Sequence, residues 1–416
     1  MLMILQESQR VLENELCFAR NVVREYDDKF ARVGAKIGAT VNLRRPVRSI
    51  VNESVNLVVQ DYVETYVPVT LTTQAQVSMS FTSQELTLSI DDFSERIIKP
   101  NSASMANSID FKGLGEYINV GNFTGTPGTL PTTALAWLNA GAILDVTATP
   151  RDGRRHVIFD PFSQAGLVDG LKGLFNKTDS IASQYASGNM GVGLGYNSFA
   201  MDQNVRRHLP GARGGSPLVS GAQGGTTPSG ALGTPGADAT RSFPLATKGW
   251  TAAVANRVNA GDVFTLAGVY MVNPQNRVST GVLQTFSAVA NAASDVSGNA
   301  TINIVPYPIF SGQFQNVASA SGDIPDNTPL SFVSGDLSGV TTFPQNMAHH
   351  RDAFTLVTAD LIMPDGVDMA ERNNYKGISM RVVRQYRIGT DDLPCRLDVL
   401  YGWKTIYPEL AIRVTG

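Results

Sequence analysis

Val77-Ser78-Met79-Ser80-Phe81-Thr82-Ser83-Gln84-Glu85-Leu86 is the stretch where the chain changes period, and that change decides the fold class. Up to Phe81 apolar residues alternate with polar ones. Val77, Met79 and Phe81 share one parity, as do Val63, Val67, Val69 and Leu71 upstream. A period of two places such residues on one face of a strand. At Thr82 the alternation stops. Thr82 and Glu85 form a Thr-x-x-Glu capping box, and Ser89 with Asp91 and Asp92 makes a second helix start. Side-chain oxygens there accept backbone amides that a first helical turn leaves without partners. Helical spacing then runs through Met105, Ile109, Leu114, Tyr117 and Ile118 to about Val120. Pro100 lacks an amide and clashes with the preceding turn, so it either kinks this helix or opens its next section. A long strand segment followed directly by a long helix predicts an α+β protein.

Toward the N-terminus, residues 41–81 read as a long hairpin or two-stranded ribbon with turns near Asn52–Ser54 and Thr72–Gln74. A two-stranded ribbon alone is marginal in water, and its open edges invite another chain. Leu2–Tyr26 reads as an amphipathic helix. Leu5, Leu12, Ala19 and Tyr26 form one row, Leu2, Leu16 and Val23 another, with Gln9 as a polar gap and Glu7, Arg10 and Glu13 opposite. Two readings of it stay open: a helix packed on its own domain, or an arm reaching a neighbouring subunit.

Toward the C-terminus the order is a helix (Ala134 to Leu144), a turn (Pro150 to Gly153), a strand (His156 to Phe159), a helix (Ser163 to Phe175) and a shorter helix near Ile181 to Ala186. Residues 214–237 hold no charge and are dominated by Gly, Ser, Thr and Pro, so they read as a loop. Short strands follow at Asp262 to Met271, Val282 to Ala290 and Thr301 to Val305. Pro210 to about Gln345 therefore reads as an inserted β-barrel or sandwich domain. Alternation returns after Ala353 in Ile378, Met380 and Val382 and in Leu397, Val399 and Tyr401. These strands are placed to complete sheets begun before the insertion.

Composition narrows the function classes. A chain of 416 residues is long enough for two or more cores. Only 17% of residues are charged, which suggests that something other than water covers much of the surface. The formal charge of −3 argues against bulk attraction to nucleic-acid phosphates. Cys17 and Cys395 stand far apart in sequence and offer no disulfide framework or metal knuckle. Met1 to Arg10 lacks the pattern of a signal peptide, and no run of about 18 apolar residues occurs, so a soluble, unexported chain is expected and no membrane partner. The Asn-x-Ser/Thr matches at Asn52, Asn122, Asn176 and Asn299 then carry no meaning. His349 and His350 with Asp352 and Asp360 are metal-ligand types, but adjacent histidines on a strand point to opposite faces. The glycines at 188, 191, 193 and 195 lack the Gly-Lys-Ser/Thr of a phosphate loop. No catalytic, cofactor or metal residues are assigned.

One resemblance spans nearly the whole chain in order. Thr82 to Phe93, Ile98-Lys99-Pro100 and Met105 to Asp110 resemble the coat proteins of the Salmonella phage P22 type, tailed-bacteriophage major capsid proteins of the Hong Kong 97 fold. So do Val11 to Leu16, Gly38 to Val41 with Arg45-Pro46, Gly125 to Gly128, Ala148 to Gly153 with Arg155, Asp169 to Phe175 and Met201 to Val205. Gly261 to Val269, Leu400-Tyr401-Gly402 and Tyr407-Pro408-Glu409 continue it, while Pro210 to Arg241 shows no matching pattern. The resemblance implies an N-arm over residues 1–40, an E-loop ribbon over 41–81, and a spine helix with peripheral domain over 82–125. An axial α+β part over 126–209, an inserted β-barrel accessory domain over 210–345, and strands completing the axial and peripheral domains over 346–416 would follow.

It further implies a non-catalytic subunit that assembles into hexamers and pentamers of an icosahedral head, built in the host bacterial cytoplasm. The implied partners are other copies of itself, a scaffolding protein, a portal protein at one vertex, enclosed double-stranded DNA held by non-specific contact, and, as an optional addition, a decoration protein. On that reading Arg44, Arg45, Arg48, Val63, Val67 and Val69 are candidate inter-subunit contacts. Glu7, Glu13 and Glu15 are candidate contacts to scaffold or neighbour, and Pro100 is the kink of the spine helix. The competing readings are ordinary solvated charges, an enzyme, and a carbohydrate- or partner-binding β protein using the module near Asp262 to Val305. A binding module has no need of the helix, ribbon and helix series in the first 120 residues.

Overall fold

The computed structural model describes residues 2–27, 40–45, 48–51, 53, 55–57, 59, 65–82, 98–170, 190–224, 242–333 and 342–416. The chain falls into two compact units. One consists of Met1–Asn42, Pro68–Leu114 and Phe354–Lys404, the other of Leu43–Val67, Gly115–Ala353 and Thr405–Gly416. The expected helix starts at 83–97, the helix near Ile181 to Ala186 and most of the Gly-rich stretch lie outside the described residues, as does Val63.

In the first unit helix α1 spans Leu2–Glu15 and helix α2 spans Lys99–Gly113. Helix α2 buries Ser102, Met105, Ala106, Ile109, Asp110 and Gly113, the spacing of one helical face. Helix α1 packs on it and on the strands Met369–Tyr375 and Ile378–Arg384, burying Leu5, Leu12 and Leu16. Of the two readings of this segment, the structure shows packing on its own unit. The polar gap at Gln9 is filled in kind: its amide donates to Asn373 O (2.8 Å), and Asn373 Nδ2 donates to Gln9 Oε1 (2.8 Å). Buried polar atoms are tolerated when paired in this way.

The helix is shorter than its apolar rows suggested. It ends at Glu15 because Asp110 gathers the next amides, accepting from Cys17 N (2.7 Å), Phe18 N (3.2 Å) and Ala19 N (2.9 Å). The β-branched run Val22-Val23 then leads into the strand Val23–Asp27, which pairs in parallel with Phe354–Ala359. The turn is locked by Phe18, stacked on Trp403 at 5.2 Å and edge-on to Phe354 at 5.4 Å. Gly113 permits this, since a Cβ there would lie 2.6 Å from the Trp403 ring. Pro100 is the second residue of α2, where a missing amide leaves no intrahelical bond unmade; the residues before Ile98, on which a kink would depend, lie outside the described ones.

The ribbon differs from expectation in its pairing. Thr40–Arg45 pairs with Thr65–Thr70, but Thr73–Thr82 turns away and pairs along its whole length with the C-terminal strand Asp392–Thr405, from Thr82 opposite Asp392 to Thr73 opposite Tyr401. A ten-residue ladder on a sheet outweighs what a free-standing two-stranded ribbon offers. Local alternation could not reveal the distant partner.

In the second unit, a six-stranded sheet runs in the order Phe123–Thr124, Ala411–Val414, Asn346–His350, Arg155–Phe159, Tyr196–Met201, Gly191–Gly193. Helix α3 (Ala134–Val146) covers one face and helix α4 (Pro161–Gly170) adds to the same core. Trp137 sits edge-to-face on Phe159 and Phe199, both at 5.8 Å. Segments far apart in sequence thus build one sheet: Ala348 faces Val157, and Arg413 faces Phe123.

A second sheet of this unit has the order Gly215–Val219, Phe243–Trp250, Ala300–Val305, Ser279–Ala288, Val263–Val272, Val317–Ala318, with Leu330–Phe332 also on Val263–Val272. Its core holds Val219, Leu245, Phe264, Leu266, Val269, Phe286, Ile302 and Ile304. Val219 N donates to Thr328 O (2.9 Å) and Asn327 N to Val219 O (3.1 Å), tying the first strand to the turn before the last. Residues 215–219 were expected as loop and form a strand. Glycine hides this: Gly215 holds φ +86°, and a Cβ there would meet Gly249 O at 2.3 Å, so the close pairing depends on the missing side chain.

Replacing Asp110 by alanine should take the carboxylate acceptor from two buried amides and one half-buried amide. We expect a loss of at least about 3 kcal/mol in urea unfolding, against near-neutrality if the amides find water.

Candidate functional site

A contact-making protein needs apolar side chains that its own fold leaves wet. Val51, Val55, Leu57 and Val59 are exposed at 84%, 105%, 91% and 80%. Each such side chain forgoes roughly 1.5–3 kcal/mol of burial relative to a covered position. All four are odd-numbered, and the described residues between them include the polar Glu53 and Asn56. Sequence reading placed the contact row instead at Val67 and Val69, and the structure corrects this. Both are buried within the chain, at 1% and 0%. The alternation is the same in the two stretches, so period alone could not separate a covered row from a wet one.

The charged candidates divide as well. Arg44 is exposed. Arg45 and Arg48 were expected to reach another subunit, but both pair with Glu409 of the same chain, Arg45 at 3.4 Å. The Arg45 guanidinium also lies 4.4 Å from the Tyr407 ring centroid, a cation–π contact. Arg277 Nη2 donates to Ser49 O (2.9 Å), so the base of residues 48–59 is anchored from the second sheet too. Glu409 was missed as a hub; its Tyr-Pro-Glu context gave family likeness but no partner. On α1, Glu7 pairs with Arg10 at 2.6 Å and Glu15 is exposed. Glu13 is 8% exposed and bonds Arg24 at 2.5 Å with Lys376 at 3.7 Å, so it is not available to a partner. A helix resting on its own sheet turns one supposed solvent position inward.

The most concentrated polar chemistry lies at the root of the second sheet. Asp262, 1% exposed, accepts from His208 Nε2 (3.0 Å), Arg213 Nη2 (3.1 Å), Gly211 N (3.0 Å) and Asn259 N (2.7 Å). Burial opposes its charge, but these donors outweigh it and hold the carboxyl below its ordinary value. Tyr117 Oη stands 3.4 Å from His208 Nδ1. Arg413, wholly buried, donates Nη1 to Gly261 O (2.8 Å) and lies against the rings of Tyr117 and Phe123. Its Nε and Nη2 have no hydrogen-bond partner among the described residues, and burial pushes the guanidinium down to about 10. Phe343 pairs with His208 and Pro344 with Arg207, so the segments that flank the second sheet are joined where this cluster sits.

The histidine and carboxylate types at the end of the chain do not converge on a metal. His350 Nε2 bonds Asp152 (3.0 Å), His349 faces His156, and Asp360 accepts from Ser379 Oγ (2.6 Å) and Tyr26 Oη (2.8 Å). No helix among the described residues is long and apolar enough to cross a membrane.

Charges are thus turned onto one another and an apolar row is turned outward. Over residues 3–416 the chain matches the family described as P22 coat protein, gene protein 5, and it belongs to that family. It is a structural capsid protein of the tailed-phage type and not an enzyme. No curated protein sequence matches it. Among solved structures it is similar to one from Mycobacterium phage Che8, with 11% identity, 96% of this chain and 90% of that chain covered, and a TM-score of 0.44. A capsid structure of the cyanophage P-SCSP1u gives 9% identity, 96% and 87% coverage, and 0.43. The mature capsid of bacteriophage PhiM1 gives 12%, 96% and 86%, and 0.41. The family assignment rests on the sequence match.

Asp262→Ala strips a buried cluster of its only described carboxylate. It should cost about 3–5 kcal/mol and lower the melting temperature of the full-length chain, whereas a loss under about 1 kcal/mol would mean that the cluster re-pairs.

Proposed function

We propose that this chain is the major capsid protein of a phage head, assembling into hexamers and pentamers around double-stranded DNA, with a Hong Kong 97-like arrangement of its units. The observation that carries this is the apolar row at Val51, Val55, Leu57 and Val59, 80–105% exposed on a segment anchored at its base by Glu409. A closed shell built from copies of one chain needs contacts that the isolated copy leaves open. In this reading residues 48–59 lie on a neighbouring subunit. Arg44, Glu7 and Glu15 remain candidates for contacts with a neighbour or a scaffolding protein, and the cytoplasm of the host is where assembly takes place.

The sheet from Gly215 to Phe332 is read as a barrel-like accessory domain inserted into the axial part. The hydrogen bonds between Val219 and residues 327–328 and the separate core around Phe264 and Phe286 support that reading. The formal charge of −3 means that DNA is contained by geometry and local contacts, not by bulk attraction. A portal and a decoration protein complete the expected partners.

Leu57→Asp and Val55→Asp test the proposal. Both sites are wet in the single chain, so its stability should change by no more than about 0.5 kcal/mol. Assembly followed by sedimentation should fall sharply, because each change would place a charge in an apolar contact. Normal shell yield from both variants would show that the row is not a subunit contact.

A further inference from the structure

In the six-stranded sheet of the second unit, His349 stands directly opposite His156 in the antiparallel register of Asn346–His350 and Arg155–Phe159. Their ring centroids are 6.0 Å apart, and they are 0% and 8% exposed. His156 Nδ1 bonds Ser198 Oγ (2.8 Å) on the next strand, and His349 Nδ1 donates to His350 O (3.2 Å). Four of the sheet's six strands meet around these rings, since Asn346–His350 also carries Ala411–Val414. The shell function proposed above makes no use of this pair.

We propose that His156 and His349 form an acid-sensitive clasp that holds this sheet closed while both rings are neutral and loosens it when they take up protons. Two imidazolium rings 6.0 Å apart and away from water would repel each other strongly. The neighbours relieve this only in small part: Asp152 favours the charged form of His156, and the bond to His350 O that of His349, but burial outweighs both. Arg155 on the same strand turns to Asp145, Thr149 O and Pro150 O, and Arg154 stands beside Asp152. His350 bonds Asp152 and lies 3.6 Å from Asp352, drawing both carboxylates to itself. Arg413, on the strand beside His349, points to Gly261 O. Arg351 and His350 add positive charge near His156.

The direction of titration agrees with the geometry. Burial first, then His350 and Arg351, push His156 down to about 4. Burial first, then His156, push His349 down to about 3. An unfolded histidine titrates near its ordinary value of about 6.5. The open state therefore binds more protons than the native one between those values. The stability given by the pair is full above about pH 6.5 and is lost as pH falls through that window. Each proton taken up on opening favours opening by about tenfold per pH unit, so the pair together gives up to about a hundredfold per unit.

Carboxylates also destabilise proteins in acid, so the test must isolate the rings. In the full-length chain, hydrogen–deuterium exchange at histidine carbon-2, resolved by mass spectrometry, gives each ring's midpoint in the folded protein. We expect His156 and His349 below pH 5, and midpoints near 6.5 for both would overturn the proposal. Melting temperature from pH 7 to 4 is then compared between the wild type and a double variant, His156→Asn with His349→Asn, which can keep the Nδ1-side hydrogen bonds. The variant should lose markedly less stability over that range, and parallel curves would overturn the proposal. If the double variant does not fold, the wild-type exchange midpoints decide alone.

Discussion

The burial of Asp262 with its four donors is the interaction on which the rest of the second unit depends. A lone carboxylate in this place would be several kcal/mol out of favour. It is held there because His208 and Gly211 arrive just before the second sheet begins, Arg213 at its first turn, and Asn259 just before its longest hairpin. Those segments are brought together only when the second sheet is folded and closed at this end. Arg413, from the last strand of the chain, adds the other side of the same joint through Gly261. Gly261 has φ +102°, and a Cβ there would lie 2.8 Å from Tyr117 and 2.9 Å from His208, so the joint closes only around a residue without a side chain. A large β-rich segment can then be carried inside an α+β unit without leaving frayed ends.

A similar logic sets the segment 48–59. Its base is fixed by charge: Glu409 holds Arg45 and Arg48, and Tyr407 lies beneath Arg45. Its far part offers apolar side chains to solvent. Fixing the root lowers the conformational entropy that remains to be lost on contact, while the wet row supplies the driving force. Ion pairs inside the subunit and apolar contacts outside it suit a protein with few charged residues. The arginines of the ribbon base act as fasteners within one chain, and in the function proposed the valine and leucine row is the recognition surface.

Much of this was legible in the sequence. The strand up to Phe81, the helix at Ala134, the strand at His156 and the β-strands after residue 262 are local patterns with local causes. Pairing between distant segments was not legible. Nothing in Thr73–Thr82 names Asp392–Thr405 as its partner, and the strand Gly215–Val219 is built on glycine, the residue that reads as loop. The burial of several candidate contacts was hidden for a related reason. Val67 and Val55 are the same residue type in alternating stretches and have opposite burial, and Glu13 and Glu15 sit two residues apart on one helix with one carboxylate inside and the other out. Burial is a tertiary property, and local spacing does not contain it.

In the proposed shell, Val51, Val55, Leu57 and Val59 are covered by a second copy of the chain. An electron cryomicroscopy reconstruction of the particles formed by the full-length protein measures this directly. It should show closed shells in which Val51, Val55, Leu57 and Val59 lie against an adjacent subunit. Small oligomers under every assembly condition, or shells in which all four side chains remain in solvent, would contradict it.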